Sequence, residues 1–222
     1  MILGILVGGA GYIMSFLFAF IIHEMKARMF FALGFYIPSM TTGVALSTVW
    51  GYIFSGDRYG LLNDVLITLN VIDDPILWTA DTEYIFTVVV IVSLWMSVGT
   101  GFLVFLAGLS GVPEDIYEAG AIDGVRSKYQ KLVHLTLPMM KPQLLFGVIN
   151  TISSAFGAYE ISAQIAGMPS VNYVAHTIGA HMTDKAFTQY EMGYASAVSV
   201  ILFALTFSLG KLFMKLLSSK DE

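Results

Sequence analysis

Asn150, Ser153, Gly157, Glu160, Gln164 and Gly167 follow one another at steps of 3, 4, 3, 4 and 3 residues. On an α-helix that spacing gathers them into one stripe. Two amides, a hydroxyl and a carboxylate offer hydrogen bonding rather than covalent chemistry, and Ser154 and Tyr159 stand beside them. The surrounding stretch is apolar. A glutamate within a membrane span costs roughly 2.5–3.5 kcal/mol on insertion scales, so Glu160 should face a cavity, water or a partner. A second polar set, Ser93, Ser97, Thr100 and Gly101, lies near Trp95, and Thr41 and Thr48 lie beyond Pro38. Small and polar residues also glue membrane helices together, and for the Ser and Thr positions both readings stand. Glu160 and Tyr159 point to a pathway, with a lateral ion pair or an interfacial position as the rival.

A different chemistry is suggested between Pro113 and Pro138, a polar segment wedged between two long apolar runs. Pro113 suits a first helical position, and Glu114 and Asp115 sit where the helix dipole favours acids. A short helix to about Ile122 should end at the Asp123-Gly124 turn signal. A second helix is expected from about Ser127 to Leu135. On the first helix Tyr117, Ala121 and Gly124 share a face whose small side chains permit close approach. Periodicity alone leaves an ordinary loop with amphipathic helices as the rival.

Other chemistries find no residues. No G-x-x-x-x-G-K-[ST] phosphate loop occurs, because Gly210-Lys211 lacks the upstream glycine. His23-Glu24 lacks the second histidine of a zinc helix, since position 27 is alanine. His176 and His181 read as solvated loop histidines rather than a metal pair. With no nucleophile elbow and no cysteine, covalent catalysis and thiolate sites have no candidate.

The elements that must position these groups are membrane helices. Apolar residues make up 56% of the 222 and charged residues 12%, about half the share usual in soluble domains. Five spans are expected, at about 2–22, 30–55, 84–110, 142–167 and 192–217, each long enough for the hydrocarbon layer of roughly 30 Å. The fold expected is all-α, a polytopic helical bundle forming one domain over 1–222, with a cytosolic loop at 111–141. The first span lacks a basic lead and a cleavage box, so it is not a cleavable signal, and its abrupt start suggests a missing upstream span. Gly4 and Gly8 suit close helix packing.

Of eleven Lys and Arg, nine (Lys26, Arg28, Arg126, Lys128, Lys131, Lys141, Lys211, Lys215 and Lys220) fall on one side of this arrangement. Only Arg58 and Lys185 fall on the other. The positive side is cytosolic, which puts the N-terminus outside and the Pro113–Pro138 segment and C-terminus inside. The acids of the outer 56–83 loop, Asp57, Asp64, Asp73, Asp74, Asp81 and Glu83, read as a solvated surface.

The segment EAGAIDG followed by LTLP resembles the EAA loop of ATP-binding-cassette (ABC) importer permeases. That pattern is Glu-Ala-Ala, three residues, Gly, nine residues, Ile, any residue, Leu-Pro. Glu118, Ala119, Gly124, Leu137 and Pro138 match. Gly120 replaces the second alanine, Leu135 replaces the isoleucine, and ten residues rather than nine separate Gly124 from Leu135. FYIPSM with VWGYIFSGDRYGLLN, VSLWMSVGTGFLVFLAGLSGVPEDIYEA, and YEMGYASAVSVILF are similar to the carbohydrate-type, MalF-like branch, so the resemblance covers most of the chain.

This resemblance implies half of an import pore for a sugar or oligosaccharide, with no catalytic residue and no cofactor of its own. It implies a second permease subunit, two ATPase subunits carrying ATP and Mg, and an extracytoplasmic solute-binding protein. It places the ATPase contact at Tyr117, Glu118, Ala119, Gly120, Ala121, Asp123, Gly124, Leu137 and Pro138. The substrate path is expected along Trp95, Ser97, Thr100, Asn150, Ser153, Ser154, Tyr159, Glu160 and Gln164, where hydroxyl groups of a sugar would find donors, acceptors and aromatic faces. A bacterial or archaeal cell membrane is implied. The competing readings are a proton- or cation-coupled secondary transporter using Glu160 and a non-transporting scaffold. The first should carry an internal repeat, and none is evident.

Overall fold

The computed structural model describes residues 2–26, 28–40 and 43–218, without the side chains of 38, 39, 43, 44, 46, 47, 100, 153, 155–158 and 216–218. Among the described residues every regular element is helical. Long helices α1 (Ile2–His23), α5 (Ile85–Ser110), α9 (Lys141–Ala166) and α11 (Met192–Ser218) carry the bundle. Three shorter helices, α2 (Arg28–Met40), α3 (Gly43–Ile53) and α4 (Leu61–Thr68), stand between α1 and α5. Helix α6 (Glu114–Ile122) opens the segment before α9, and α10 (Ile178–Thr183) lies before α11.

Among the described residues three helices are long and apolar enough to cross a membrane on their own: Ile2–His23, Ile85–Ser110 and Met192–Lys215. The expected second span is occupied by α2 and α3. The expected fourth is α9, joined at a 75° bend to the residues 128–139 before it.

The core is where α1, α5 and α9 meet. Leu3 and Val7 pack with Ile85, Val89, Ala166 and Ala175 at one end. Ala19 and Ile22 pack with Phe102, Phe105, Leu109 and Met140 at the other. Helices α1 and α5 therefore run parallel, and α9 returns against them. Hydrophobicity alone does not hold helices together in lipid, so close backbone approach must. Here the approach uses small residues: Ser15 Oγ donates to Gly11 O at 2.7 Å and to Val98 O at 3.3 Å. A side chain added at Gly101 would lie 3.0 Å from Ser15 Oγ.

Outside this core, α4 lies within the 56–83 loop. Buried Asn63 organises it, donating to Ser55 O, Asp57 O and Ile76 O and accepting from Ile76 N and Trp78 Nε1 at 2.9–3.1 Å. Around that hub Asp57, Asp64, Asp73, Asp74, Asp81 and Glu83 are all exposed, as a solvated acidic surface requires.

Candidate functional site: a polar cavity and a capped helical hairpin

A cavity of about 150 Å³ lies between α1, α5 and α9. Gly4, Gly8 and Gly11 leave room for it on α1, beside Tyr12 and Ser15. Ser93, Met96 and Ser97 of α5 and Asn150, Thr151 and Ser154 of α9 complete most of the wall. Ser97 Oγ is spent on Leu94 O at 2.9 Å, and Tyr12 donates to Leu144 O at 3.1 Å. Ser93 differs: it is 2% exposed, and its hydroxyl has no partner among the described residues. A buried hydroxyl left unpaired costs about 1–3 kcal/mol, so the site suits water or a hydroxyl-bearing guest.

Of the substrate-path residues expected from sequence, Ser97, Asn150 and Ser154 meet at this cavity. The side chains of Thr100 and Ser153 lie outside the described set, as does all of Thr41. Trp95 is 43% exposed and packs edge-on against Trp50, with ring centroids 5.2 Å apart. Tyr159 is half-buried against α10, so close that a side chain at Gly179 would lie 2.8 Å from its Cβ. Glu160 and Gln164 are exposed and are absent from the cavity lining. Among the described residues the polar stripe and the cavity face share Asn150, while cavity-lining Thr151, Ser154 and Ile161 lie round the helix from Glu160. Gly11 and Ser15 were missed. Their signal was present: Gly4, Gly8, Gly11 and Ser15 are a run of small residues at steps of four, three and four.

At the end of the bundle marked by Leu109 and Met140, the Pro113–Pro138 segment forms a hairpin of two helices. Pro113 stands one residue earlier than expected, as the extended N-cap of α6. The helix ends in a Schellman motif: Val125 N donates to Gly120 O at 2.9 Å and Gly124 N to Ala121 O at 3.3 Å. Gly124 takes φ +92°, a left-handed conformation that favours glycine. Ser127 then starts α7 (Lys128–Lys131) with a full capping box, accepting from Gln130 N while Gln130 Oε1 accepts from Ser127 N. One π turn, Leu132–Thr136, and the short α8 (Leu137–Met139) lead into α9.

The faces of this hairpin differ from the sequence expectation at Tyr117. It turns inward, its hydroxyl 3.2 Å from Thr136 Oγ1 and its ring 3.9 Å beneath the Lys131 ammonium. Gly120 is buried against Leu135. The outward face is made by Glu118, Ala119, Ala121, Asp123 and Gly124, with Pro138 exposed and Leu137 half-buried. Ile122, which the sequence reading passed over, is 87% exposed beside them.

The loop after α9 also departs from expectation. His176 and His181 are both half-buried: their rings meet edge to face at 5.8 Å, Tyr173 closes on His176 at 5.1 Å, and the two ring nitrogens of His176 are buried rather than solvated. Burial pushes the His176 pKa below its ordinary value, and His181 adds to the effect. Among the described residues no three His, Asp or Glu groups converge as a metal site would need.

A family model for the binding-protein-dependent transport system inner membrane component matches residues 2–220. The chain belongs to that family. It is 27% identical over 195 residues to the arabinooligosaccharides transport system permease protein AraP of Bacillus subtilis (strain 168), covering 88% of this chain and 61% of that one. It is 30% identical over 201 residues to the multiple sugar-binding transport system permease protein MsmF of Streptococcus mutans serotype c, covering 90% and 66%. The chain therefore spans about three-fifths to two-thirds of the length of these relatives. In fold it matches a chain of a bacterial ABC transporter that imports the acidic polysaccharide alginate, with a TM-score of 0.84 at 16% identity over 99% of this chain and 78% of the other. A chain of a bacterial alginate ABC transporter in complex with an alginate pentasaccharide-bound periplasmic protein gives a TM-score of 0.81 at 17% identity, over 96% of this chain and 75% of the other.

Proposed function

We propose that this chain is a permease subunit of an ABC importer, forming half of a path for a sugar or oligosaccharide and driven by separate ATPase subunits. The observation that carries this reading is the capped hairpin at one end of the bundle. Its backbone is fixed at both turns, and it turns Glu118, Ala119, Ala121 and Ile122 outward. A rigid, small-residue surface with one apolar knob suits a groove on a soluble partner. Family membership adds the reason for such a partner, and it favours the conduit over a lone cation-coupled carrier.

In this reading the helices cross the membrane five times, with α2 and α3 forming one crossing, the N-terminus outside and the hairpin in the cytosol. Both permease chains line the path, a solute-binding protein delivers from outside, and ATP and Mg reside on the ATPase. Ser93, Asn150 and Ser154 bind sugar hydroxyls. At about 150 Å³ the cavity is below the roughly 300 Å³ at which sites for drug-sized ligands begin. It therefore opens before it accepts more than one end of an oligosaccharide.

The test is co-expression with the ATPase and second permease of the same importer. Ile122→Asp should insert normally yet lose at least half of the co-purifying ATPase and of arabino-oligosaccharide or other sugar uptake. Undiminished ATPase recovery and uptake in Ile122→Asp would remove the hairpin from this role. Because the chain has no cysteine, single thiols report sidedness cleanly. Ser127→Cys should label only from inside and Tyr59→Cys only from outside.

A further inference from the structure

An ion pair joins two segments that lie far apart in the sequence. Glu24 lies in the turn after α1, and Lys128 opens α7 of the hairpin, 104 residues later in the chain. Their charged atoms, Oε2 and Nζ, are 2.6 Å apart. Both side chains are well exposed, 51% for Glu24 and 79% for Lys128, so the pair adds little to folding stability. What it does fix is relative position.

The geometry on each side of the pair is stiff. Lys128 sits in the first turn of a helix held by the Ser127–Gln130 capping box. That helix is tied back to α6 through Lys131 over Tyr117, and the π turn that continues it through Leu135 against Gly120. Glu24 directly follows α1, a helix of 22 residues. At 1.5 Å per residue, α1 carries a displacement of its end along about 33 Å. Its face presents Gly4, Gly8, Gly11, Tyr12 and Ser15 to the cavity. A movement of the hairpin thus has a direct route to one wall of the cavity, without passing through α9.

We propose that Glu24 and Lys128 form the link through which the hairpin displaces α1 and so opens or closes the cavity. This rests on the reading of the hairpin as the ATPase contact. The Glu24 carboxyl is held below the ordinary glutamate range, first by its bond to Lys128, with Lys131 contributing, so it is charged at neutral pH and available to the link. Both residues are positioning residues and touch no substrate.

The experiment uses the assembled transporter in sealed membrane vesicles, with Ser154→Cys as a thiol reporter in the cavity wall. N-ethylmaleimide labelling is compared with and without a non-hydrolysable ATP analogue, and ATPase recovery is measured in parallel. In the parent the analogue should change the labelling rate. Glu24→Lys and Lys128→Glu should each shrink that change by about two- to fivefold, the span available to an exposed ion pair, with ATPase recovery unchanged. The exchanged pair, Glu24→Lys with Lys128→Glu, should restore it. Raising the salt on the hairpin side should reproduce the single variants, because exposed charges are screened. A nucleotide response that survives both single reversals, or that the exchanged pair fails to restore, overturns the link while leaving the hairpin contact standing. Loss of ATPase from the parent complex overturns both.

Discussion

Gly120 and Leu135 are two departures from the EAA pattern, and in the fold they touch. The pattern has alanine and isoleucine at these places. Here a methyl group at position 120 would lie 2.5 Å from Leu135 Cδ1, closer than carbon atoms come. The glycine makes room for the leucine, so the exchanges compensate. Gly120→Ala alone should therefore overpack the hairpin, costing about 1 kcal/mol since Leu135 is half-buried and can turn aside. Gly120→Ala with Leu135→Ile should recover most of it, read as the melting temperature of the purified complex and its retained ATPase. No recovery in the double variant would show the two exchanges to be independent. Each departure was visible in the sequence. Their contact was not, since it depends on two helices meeting after a turn. The same limit explains Asn63 and Ile122. A lone asparagine in a loop carries no sign that five bonds converge on it, and the exposure of one isoleucine depends on which face the hairpin buries.

At the scale of elements, the four long helices were legible because apolar runs of 22 to 27 residues leave few alternatives. Among the short ones α6 was legible, from Pro113 and the Asp123-Gly124 turn, but the helices of the outer loops were not. Helices α4 and α10 have eight and six residues and owe their existence to packing rather than periodicity. The π turn at Leu132–Thr136 resolves the extra residue between Gly124 and Leu135. Leu137 N donates to Leu132 O, a bond across five residues, so this turn holds one residue more than an α turn. Thr136 Oγ1 donates to Lys131 O at 3.2 Å and seals it. Deleting Val133 should return the segment to a plain α-helix and leave ATPase recovery and uptake within about twofold, as a single housed insertion implies. A larger loss would mean that the π turn itself shapes the contact. The loop before α10 makes a different prediction. The folded His176 has a pKa lowered from the ordinary 6.5, by burial first and by His181 second, with Asp184 opposing. A depressed pKa contributes stability above the unfolded value that is lost as pH falls through the folded one. Hydrogen exchange over 171–183, corrected for its intrinsic pH dependence, should therefore rise below about pH 6.5. His176→Phe, which keeps a ring against Tyr173, should flatten that rise, and an unchanged profile would clear His176 of responsibility.

For the whole molecule, the telling feature is what one chain leaves uncovered. Val200, Ile201 and Phe203 of α11 are each more than 60% exposed, as a face toward lipid or apolar protein should be. Glu160 and Gln164 of α9 are exposed as well, and lipid is no place for them. Glu160 lies six residues before the end of α9, about 9 Å along the helix axis. Because it lies off the internal cavity, the proposed assembly offers it two surroundings: a wetted path shared with a second permease, or a side chain of that permease. The two differ in what a neutral isostere does. A carboxylate in the path accepts charge-assisted bonds from sugar hydroxyls, and these are roughly twice as strong as neutral ones. Glu160→Gln should then lower uptake about tenfold or less, in line with exchanging one charged hydrogen bond for a neutral one, while the complex still assembles. A carboxylate paired with a buried cation of the second permease would leave that cation uncompensated when neutralised, and the complex would come apart. The wetted path is the expected outcome, because α9 already turns Ser154 and Asn150 toward polar space about two and three turns deeper. Size-exclusion of the complex and an initial-rate uptake assay on the same preparation separate the cases. Normal assembly with unaltered uptake and selectivity would take Glu160 out of the path and leave the internal cavity as the binding surface.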